Sequence, residues 1–580
     1  MSDRTKILLS WSSGKDSAWS LHVLRQRQQI EVVGLMTTVN EVYRRVAMHA
    51  VRVELLEAQA TAVGVSLWKI PIPSPCSNEE YEAAMRTAIE KVRGELGREY
   101  PSVINGEKVT LDHKFQSYNP ANKTEVVGIF SEGDSDTSLV EKAIEAATTA
   151  FKTWRNVPAA DRAEYLFKIA ELMRQRKHEL SAWMVFEVSK TWAEADGDTA
   201  EAIDFMEFYG REMLRWSQEQ PVTKVPGEAN HLEYIPLGVG AVIPPWNFPL
   251  AIMSGMTMAA VVTGNTVVLK PSSDSPTIAA KFIEIVEEAG LPNGVVNFLT
   301  GSAKTGEAMV THPKMRFISF TGSKGVGLHI NEEAAKTRDG QIWIKRVIAE
   351  MGGKDAIVVA DDADIDSAAT GIVQAAFGYQ GQKCSACSRL IVDEKVHDQL
   401  MEKVVALTKA LKVGQPTESD TNVAAVINKR SFEGTVGYIK KGVDEGGKVL
   451  AGGTGSDENG FFIEPTIIDD VKPGDTIEQE EIFAPVLAVI KAKDYDHALE
   501  IANDTEFGLT GAVYSASEDR LAQAQREFHV GNLYLNRKCT GALVGAHPFG
   551  GFNMSGTDSK AGGREYLLQF MQGKSISRKI

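Results

Sequence analysis

Short apolar runs recur along this chain, each followed by a longer amphipathic stretch, and that alternation leaves few folds open. Residues 240–243, 266–269, 317–320 and 356–359 read as buried strands; residues 139–154, 159–188, 199–216 and 276–289 read as helices. A parallel strand needs a crossover before its next neighbour and must be covered on both faces, so this pattern predicts doubly wound α/β layers. At 580 residues the chain exceeds what one hydrophobic core supports, and two or three folding units are expected.

The alternation begins at the N-terminus, with strands over residues 7–11, 31–36 and 67–72 and helices over 18–28, 45–63 and 78–96. The turn after the first strand, Ser12-Ser13-Gly14-Lys15-Asp16-Ser17, leads into a helix, where backbone N–H groups can hold phosphate. Such a turn also serves as a plain tight connection. With Pro71-Ile72-Pro73 and Asn78-Glu79-Glu80-Tyr81, it resembles the PP-loop ATP pyrophosphatases, in the branch that includes diphthine–ammonia ligase, with Ser13 in place of a motif glycine. The resemblance stops where another pattern starts, which implies a partial PP-loop half-domain over residues 1–96. No Gly/Ser-rich or Pro-rich linker marks the junction near residues 91–100. The two parts are therefore expected to share one helix, and the chain from Gly97 onward is expected to fold alone.

A formal net charge of −15 argues against binding to phosphate backbones or anionic membranes. The most apolar stretches, 239–249 and 256–269, are interrupted by Pro, Asn or Gly before they reach the roughly 20 residues a membrane span needs. No nucleic-acid partner, membrane span or targeting segment is expected, and the cytoplasm is the default location. Cys384 and Cys387 form a CxxC, but Cys76 and Cys539 are remote and lack zinc-site spacing, so neither a disulfide framework nor a metal is expected.

The chemistry gathers around Gly381-Gln382-Lys383-Cys384-Ser385. A cysteine attacks carbonyls when a cation, dipole or base activates it, yet taken singly a cysteine is more often inert packing. Three further segments change its meaning. Glu350 lies 34 positions earlier, in Ala349-Glu350-Met351-Gly352-Gly353-Lys354; Asn247 lies in Pro245-Trp246-Asn247-Phe248-Pro249; Lys270 lies in Leu269-Lys270-Pro271-Ser272. Each alone also suits an ordinary charge or turn. Together, in this order and spacing, they resemble the aldehyde dehydrogenase superfamily.

That resemblance implies Cys384 as nucleophile, Asn247 with the Cys384 N–H as oxyanion donors, and Glu350 as the base that activates water against a thioester. It implies NAD held by Lys270, by Gly322 and Ser323 of Phe320-Thr321-Gly322-Ser323, by Glu481 and Phe483, and beside Trp246. Many NAD-preferring members carry Glu where this chain has Ser273, so repulsion of a 2′-phosphate is missing and some NADP use is expected.

Within the superfamily, Tyr100-Pro101, Ile104-Asn105-Gly106, residues 200–205, 381–389 and 536–563 resemble the 1-pyrroline-5-carboxylate dehydrogenases, which oxidise L-glutamate γ-semialdehyde in proline breakdown. The likeness implies Thr540, Gly541 and Ala542 as the aldehyde-anchor loop, Lys383, Ser385 and Glu201 at the amino-acid head group, and Phe549 against the aliphatic part. It also implies the aldehyde dehydrogenase fold. The NAD(P)-binding domain would span 97–220 and 236–351, the catalytic domain 352–563, and the homo-oligomerisation elements 221–235 and 564–580. The alternatives are another semialdehyde or aliphatic aldehyde dehydrogenase, and an ATP-dependent amidating ligase built on Ser12–Ser17.

Overall fold

A computed structural model describes residues 5–10, 21–27, 29–40, 45–46, 53–65, 67–72 and 78–580. The chain divides into two compact units, Met1–Thr87 and Ala88–Ile580.

In the smaller unit Ile30–Asn40 is the central strand, parallel to Thr5–Ser10 and Leu67–Ile72. Leu21, Leu35 and Ala60 form its buried cluster. The helix expected over 45–63 is shorter: Val53–Val63 is helical, but Arg45–Val46 pairs antiparallel with the central strand, Val46 opposite Val39. β-branched residues such as Val46 favour strand backbone over a helix turn. The motif Ser12–Ser17, Pro73 and Cys76 lie outside the described residues.

The helix Asn78–Arg93 has Glu79 and Glu80 in its first turn and Lys91 and Arg93 in its last, the charge order the helix dipole favours. The division between the units falls inside it. Its last turns belong to the larger unit: Ala88, Ile89 and Val92 are buried, Lys91 pairs with Glu179 at 2.9 Å, and the Arg93 guanidinium lies over the Phe186 ring. The larger unit thus starts before Gly97.

Two seven-stranded sheets organise this unit. The first runs, in spatial order, Arg346–Glu350, Phe317–Thr321, Val239–Ile243, Thr266–Leu269, Val296–Phe298, Ser102–Ile104 and Glu107–Val109. Its first five strands are parallel. From Val239–Ile243 the chain winds outward to one side, then returns to place Phe317–Thr321 and Arg346–Glu350 on the other. This reversal is a topological switch point, and open α/β sheets hold ligands beyond the strand C-termini at such points. The second sheet runs Lys448–Ala451, Thr466–Asp469, Val486–Ala492, Cys387–Asp393, Asp355–Val359, Thr510–Tyr514 and Asn532–Leu535, parallel except at its first strand. Apart from these, Glu228–Pro236 and Met571–Lys579 form an antiparallel ribbon.

The helices Ser138–Trp154 and Pro276–Glu288 fall within a residue of where the sequence places them, but the helix expected over 199–216 starts at Trp192, and residues 159–188 form two, Ala159–Gln175 and Lys177–Val188. Arg176 breaks the run with φ −103° and ψ 16°, and its guanidinium reaches Glu179 and Glu284.

Removing residues 1–96 takes away Ile89 and Val92, each worth about 1.5–3 kcal/mol when buried. Thermal melts should therefore show Asn78–Ile580 keeping the wild-type transition of the large unit and Gly97–Ile580 melting several degrees lower; equal melting temperatures would contradict this assignment of the helix.

Candidate active site

Cys384 lies between the helix Ile365–Phe377 and the strand Cys387–Asp393. Tyr379 and Gln380 both adopt left-handed backbone, φ 51° and 55°, and Gly381 follows at 66°. Two non-glycine residues in that region are costly unless the surroundings hold them. Here Tyr379 Oη donates to the Val188 carbonyl at 3.1 Å, and Gln380 Nε2 donates to the carbonyls of Ser189 and Ala425, each at 3.0 Å. The buried Lys190 ammonium sits 4.3 Å from the Tyr379 ring and 3.9 Å from that of Phe248, with Asp198 at 3.1 Å. One cation thus packs against both the turn that presents Cys384 and the segment that presents Asn247.

Asn247 is buried, and its Nδ2 donates to the Gln382 carbonyl at 3.1 Å. That bond places the amide against the backbone two residues before the cysteine. Gln382 is fixed in turn by Ile427 N–H, which donates to its side-chain oxygen at 2.9 Å. Among the described residues no acceptor takes the Cys384 N–H. A side-chain amide held on the Gln382 carbonyl and the Cys384 N–H are the donor types that charge on a carbonyl oxygen at this segment would need.

Glu350 ends a strand of the first sheet. Its carboxylate accepts from the Ser559 hydroxyl at 2.7 Å, from Gly551 N–H at 3.2 Å and from Ser559 N–H at 3.3 Å. Burial outweighs these bonds and pushes its pKa up to about 7. Cys384 keeps part of its surface open, but burial of its sulfur, then the nearby carboxylates of Asp355, Glu481, Glu350 and Glu201, hold the thiol well above its ordinary value. Gly353 explains the close fit: a Cβ there would lie 2.6 Å from both the Cys384 carbonyl oxygen and the Asp355 carboxylate.

The groups beyond the strand C-termini at the switch point suit a dinucleotide. Ser323 caps the helix Lys324–Ala335 without a side-chain bond to it, so the first N–H groups of that helix are open to an anion. Gly322 N–H donates to the Glu350 carbonyl at 3.1 Å, tying this turn to the strand Arg346–Glu350. Lys270 is buried, its ammonium on the carbonyls of Pro271 and Gly301, and burial lowers its pKa to about 8. Ser273 Oγ donates to the same Gly301 carbonyl at 3.3 Å. Glu481 accepts from Gly353 N–H at 3.1 Å, and burial raises it to about 7. Phe483, at φ 58°, meets the Trp246 ring edge-to-face at 5.5 Å. These groups fit a nicotinamide dinucleotide, with an open helix terminus for phosphates and polar groups for both riboses.

At the other side of the cysteine, the Lys383 ammonium pairs with Glu194 at 2.7 Å. Burial and the Asp198 carboxylate raise Glu201 to about 8, so it is largely neutral at pH 7. The Ser385 carbonyl accepts from the Cys539 thiol at 3.4 Å, which brings the adjoining Thr540, Gly541 and Ala542 to the nucleophile segment. Phe549 exchanges backbone bonds with Ala561, at 2.8 and 2.7 Å. Sequence reasoning missed Ser559, Glu194, Lys190 and Asp355. The first lies inside a segment singled out for its family likeness, and Asp355 follows directly on Gly353-Lys354; nothing local distinguishes either from a surface polar residue.

Residues 108–576 match the aldehyde dehydrogenase family model, and residues 5–107 match that of the diphthamide synthase N-terminal domain. The chain is 57% identical over 500 residues to the 1-pyrroline-5-carboxylate dehydrogenase of Geobacillus kaustophilus (strain HTA426), covering 86% of this chain and 96% of that one. Among solved structures it is similar to the 1-pyrroline-5-carboxylate dehydrogenase from Thermus with bound NAD, with TM-score 0.85 and 48% identity over 87% of this chain and 98% of that one. It also resembles an NAD-dependent aldehyde dehydrogenase from Sinorhizobium meliloti, with TM-score 0.79 and 32% identity over 84% and 96% of the two chains.

Because Cys387 and Cys539 are buried and Cys384 is partly open, iodoacetamide should alkylate Cys384 ahead of the other two in the native chain, faster as pH rises because the thiol is held neutral. Peptide mass mapping reads the order, and earlier labelling of Cys387 or Cys539 would contradict the geometry.

Proposed function

The chain belongs to the aldehyde dehydrogenase family, and from that premise we infer that Cys384, Asn247 and Glu350 carry out the covalent oxidation of an aldehyde to its acid. The substrate is L-glutamate γ-semialdehyde and the product L-glutamate, as in proline degradation. Similarity to 1-pyrroline-5-carboxylate dehydrogenases over nearly their whole length supports this choice over another aldehyde. The observation that supports the mechanism is local: the Asn247 amide bonds the backbone two residues before Cys384, and the Glu350 carboxylate is close enough to raise the Cys384 thiol.

Cys384 gives its thiol proton to the nearby Glu350 carboxylate, which passes it to solvent, and Sγ attacks the carbonyl carbon. The Asn247 amide and the Cys384 N–H stabilise the oxygen as it gains charge, and loss of one such donor typically costs on the order of 10²–10³ in rate. Bound NAD supplies the hydride acceptor. Lys270 would hold it at one ribose, the helix terminus at Gly322–Ser323 at the pyrophosphate, and Glu481 with Phe483 and Trp246 at the nicotinamide end. A thioester on Cys384 results, and Glu350, poised near neutrality, takes a proton from the water that hydrolyses it. Lys383, Ser385 and Glu201 meet the head group, the anchor loop Thr540–Ala542 takes the α-carboxylate, and Phe549 packs on the chain between.

Ser273 places no negative charge beside the adenine ribose, so NADP also serves, more weakly. The ribbon of Glu228–Pro236 with Met571–Lys579 presents edges to another copy, and the enzyme works as a homo-oligomer. A cytoplasmic enzyme belongs to the same proposal; among the described residues no helix is long and apolar enough to cross a membrane.

Cys384→Ala should abolish NADH formation from glutamate γ-semialdehyde while NAD still binds, and appreciable turnover by that variant would overthrow the mechanism. In rapid-quench experiments Glu350→Gln should accumulate the thioester. Since burial raises Glu350 and only its ionised form is a base, hydrolysis-limited kcat should climb with pH through about 7. Ser559→Ala removes a bond to the charged form and should move that rise to higher pH; an unmoved profile would separate Ser559 from the base. An NADP-linked rate at background would refute the dual cofactor use.

A further inference from the structure

The anchor loop is shaped from behind by a residue that the mechanism does not use. Beyond the strand Asn532–Leu535, Asn536 turns the chain with φ 52°, its N–H on the Val513 carbonyl and its side-chain oxygen accepting from Ser515 N–H. The next residue, Arg537, sends Nη2 to two carbonyls of the loop, Thr540 at 3.0 Å and Gly541 at 3.2 Å. Its guanidinium stacks 4.5 Å from the buried Tyr534 ring. The far limb of the loop closes on the same ring: His547 meets Tyr534 at 6.0 Å, and His547 Nδ1 accepts from Leu543 N–H at 3.1 Å.

In a trans peptide the C=O and the following N–H point in opposite directions. Two successive carbonyls turned to one guanidinium therefore turn the N–H groups of Gly541 and Ala542 away from it, side by side. Successive carbonyls share a direction here because Gly541 is left-handed, φ 79°. Among the described residues neither N–H has an acceptor. A pair of parallel, unpartnered N–H groups is an anion-binding nest. Its position relative to the nucleophile follows from Cys539, whose thiol bonds the Ser385 carbonyl, and from Lys538, whose ammonium shares its surroundings with Lys383 and Glu194.

We propose that Arg537 is the positioning residue that sets selectivity for aldehydes bearing a remote carboxylate, by holding the Thr540 and Gly541 carbonyls so that the Gly541 and Ala542 N–H groups form the carboxylate cradle. Arg537 touches no substrate atom. The proposal rests on the aldehyde dehydrogenase activity above but not on which carboxylated aldehyde is physiological.

The test compares wild type, Arg537→Met and Arg537→Lys with succinate semialdehyde and butanal, which share a four-carbon chain and differ in the carboxylate, and measures glutarate binding by fluorescence titration. For Arg537→Met, the ratio of kcat/KM for succinate semialdehyde to that for butanal should fall about tenfold, carried by KM, as expected for losing charge-assisted bonds that orient the donors. The glutarate Kd should rise by a similar factor. Arg537→Lys keeps the charge without the planar fork and should fall between, and it carries the test if the Met variant does not fold. A wild-type ratio and glutarate Kd in either folded variant would overturn the proposal, as would an equal loss on both aldehydes. If wild type oxidises succinate semialdehyde but not glutamate γ-semialdehyde, the substrate assignment fails, while the ratio and the glutarate Kd still decide the role of Arg537.

Discussion

A carboxylate withdrawn from water must find donors, and Glu350 finds them in a segment some two hundred positions further along the chain. Its three hydrogen bonds come from Gly551 and Ser559, while its own strand belongs to the first sheet and the neighbouring Gly353 is pressed against the Cys384 carbonyl. Glu350 can be buried only if the C-terminal segment folds back over that strand, so the geometry of the site and the closing of the chain are one event. Gly550 and Gly556 show how tight the fit is: a Cβ on either would lie 3.1 Å from a Glu350 oxygen.

Burial also sets the electrostatics. Glu350 and Glu481 both rise to about 7, and Glu201 to about 8, because charge is expensive where water is excluded. At neutral pH these acids are only partly ionised, which spares the thiol the full repulsion of their charges. At Glu194 the outcome reverses: Lys383, Lys190 and Lys538 together hold it below its ordinary range despite burial. One site thus contains carboxylates suited to proton transfer and one suited to a fixed negative charge, distinguished by their neighbours alone.

The buried cation between Phe248 and Tyr379 links the two loops that matter most. Both strained residues, Tyr379 and Gln380, are held by backbone carbonyls of the segment 188–189, next to Lys190 in the chain. Strain of this kind persists because several independent partners share it, and it fixes the turn that leads into Cys384. The N-terminal unit, with its match to the diphthamide synthase N-terminal domain, adds a helix whose last turns belong to the larger body.

Alternating buried strands and covering helices made the doubly wound layers legible from residue order, since period and length are local properties of the chain. The boundaries of Thr266–Leu269 and Leu67–Ile72 could be read directly for that reason. Cys384, Glu350, Asn247 and Lys270 could be singled out as candidates through their motifs. Local pattern could not show that Val46 pairs with Val39, that Arg176 splits a helical run, or that Ser559, Glu194 and Arg537 stand behind the working groups. Those relations join residues through space, and their energies depend on burial and on partners far along the chain. Residue order therefore determined which chemistry was available, and only the tertiary fold decided which donors, charges and supports each reactive group would meet.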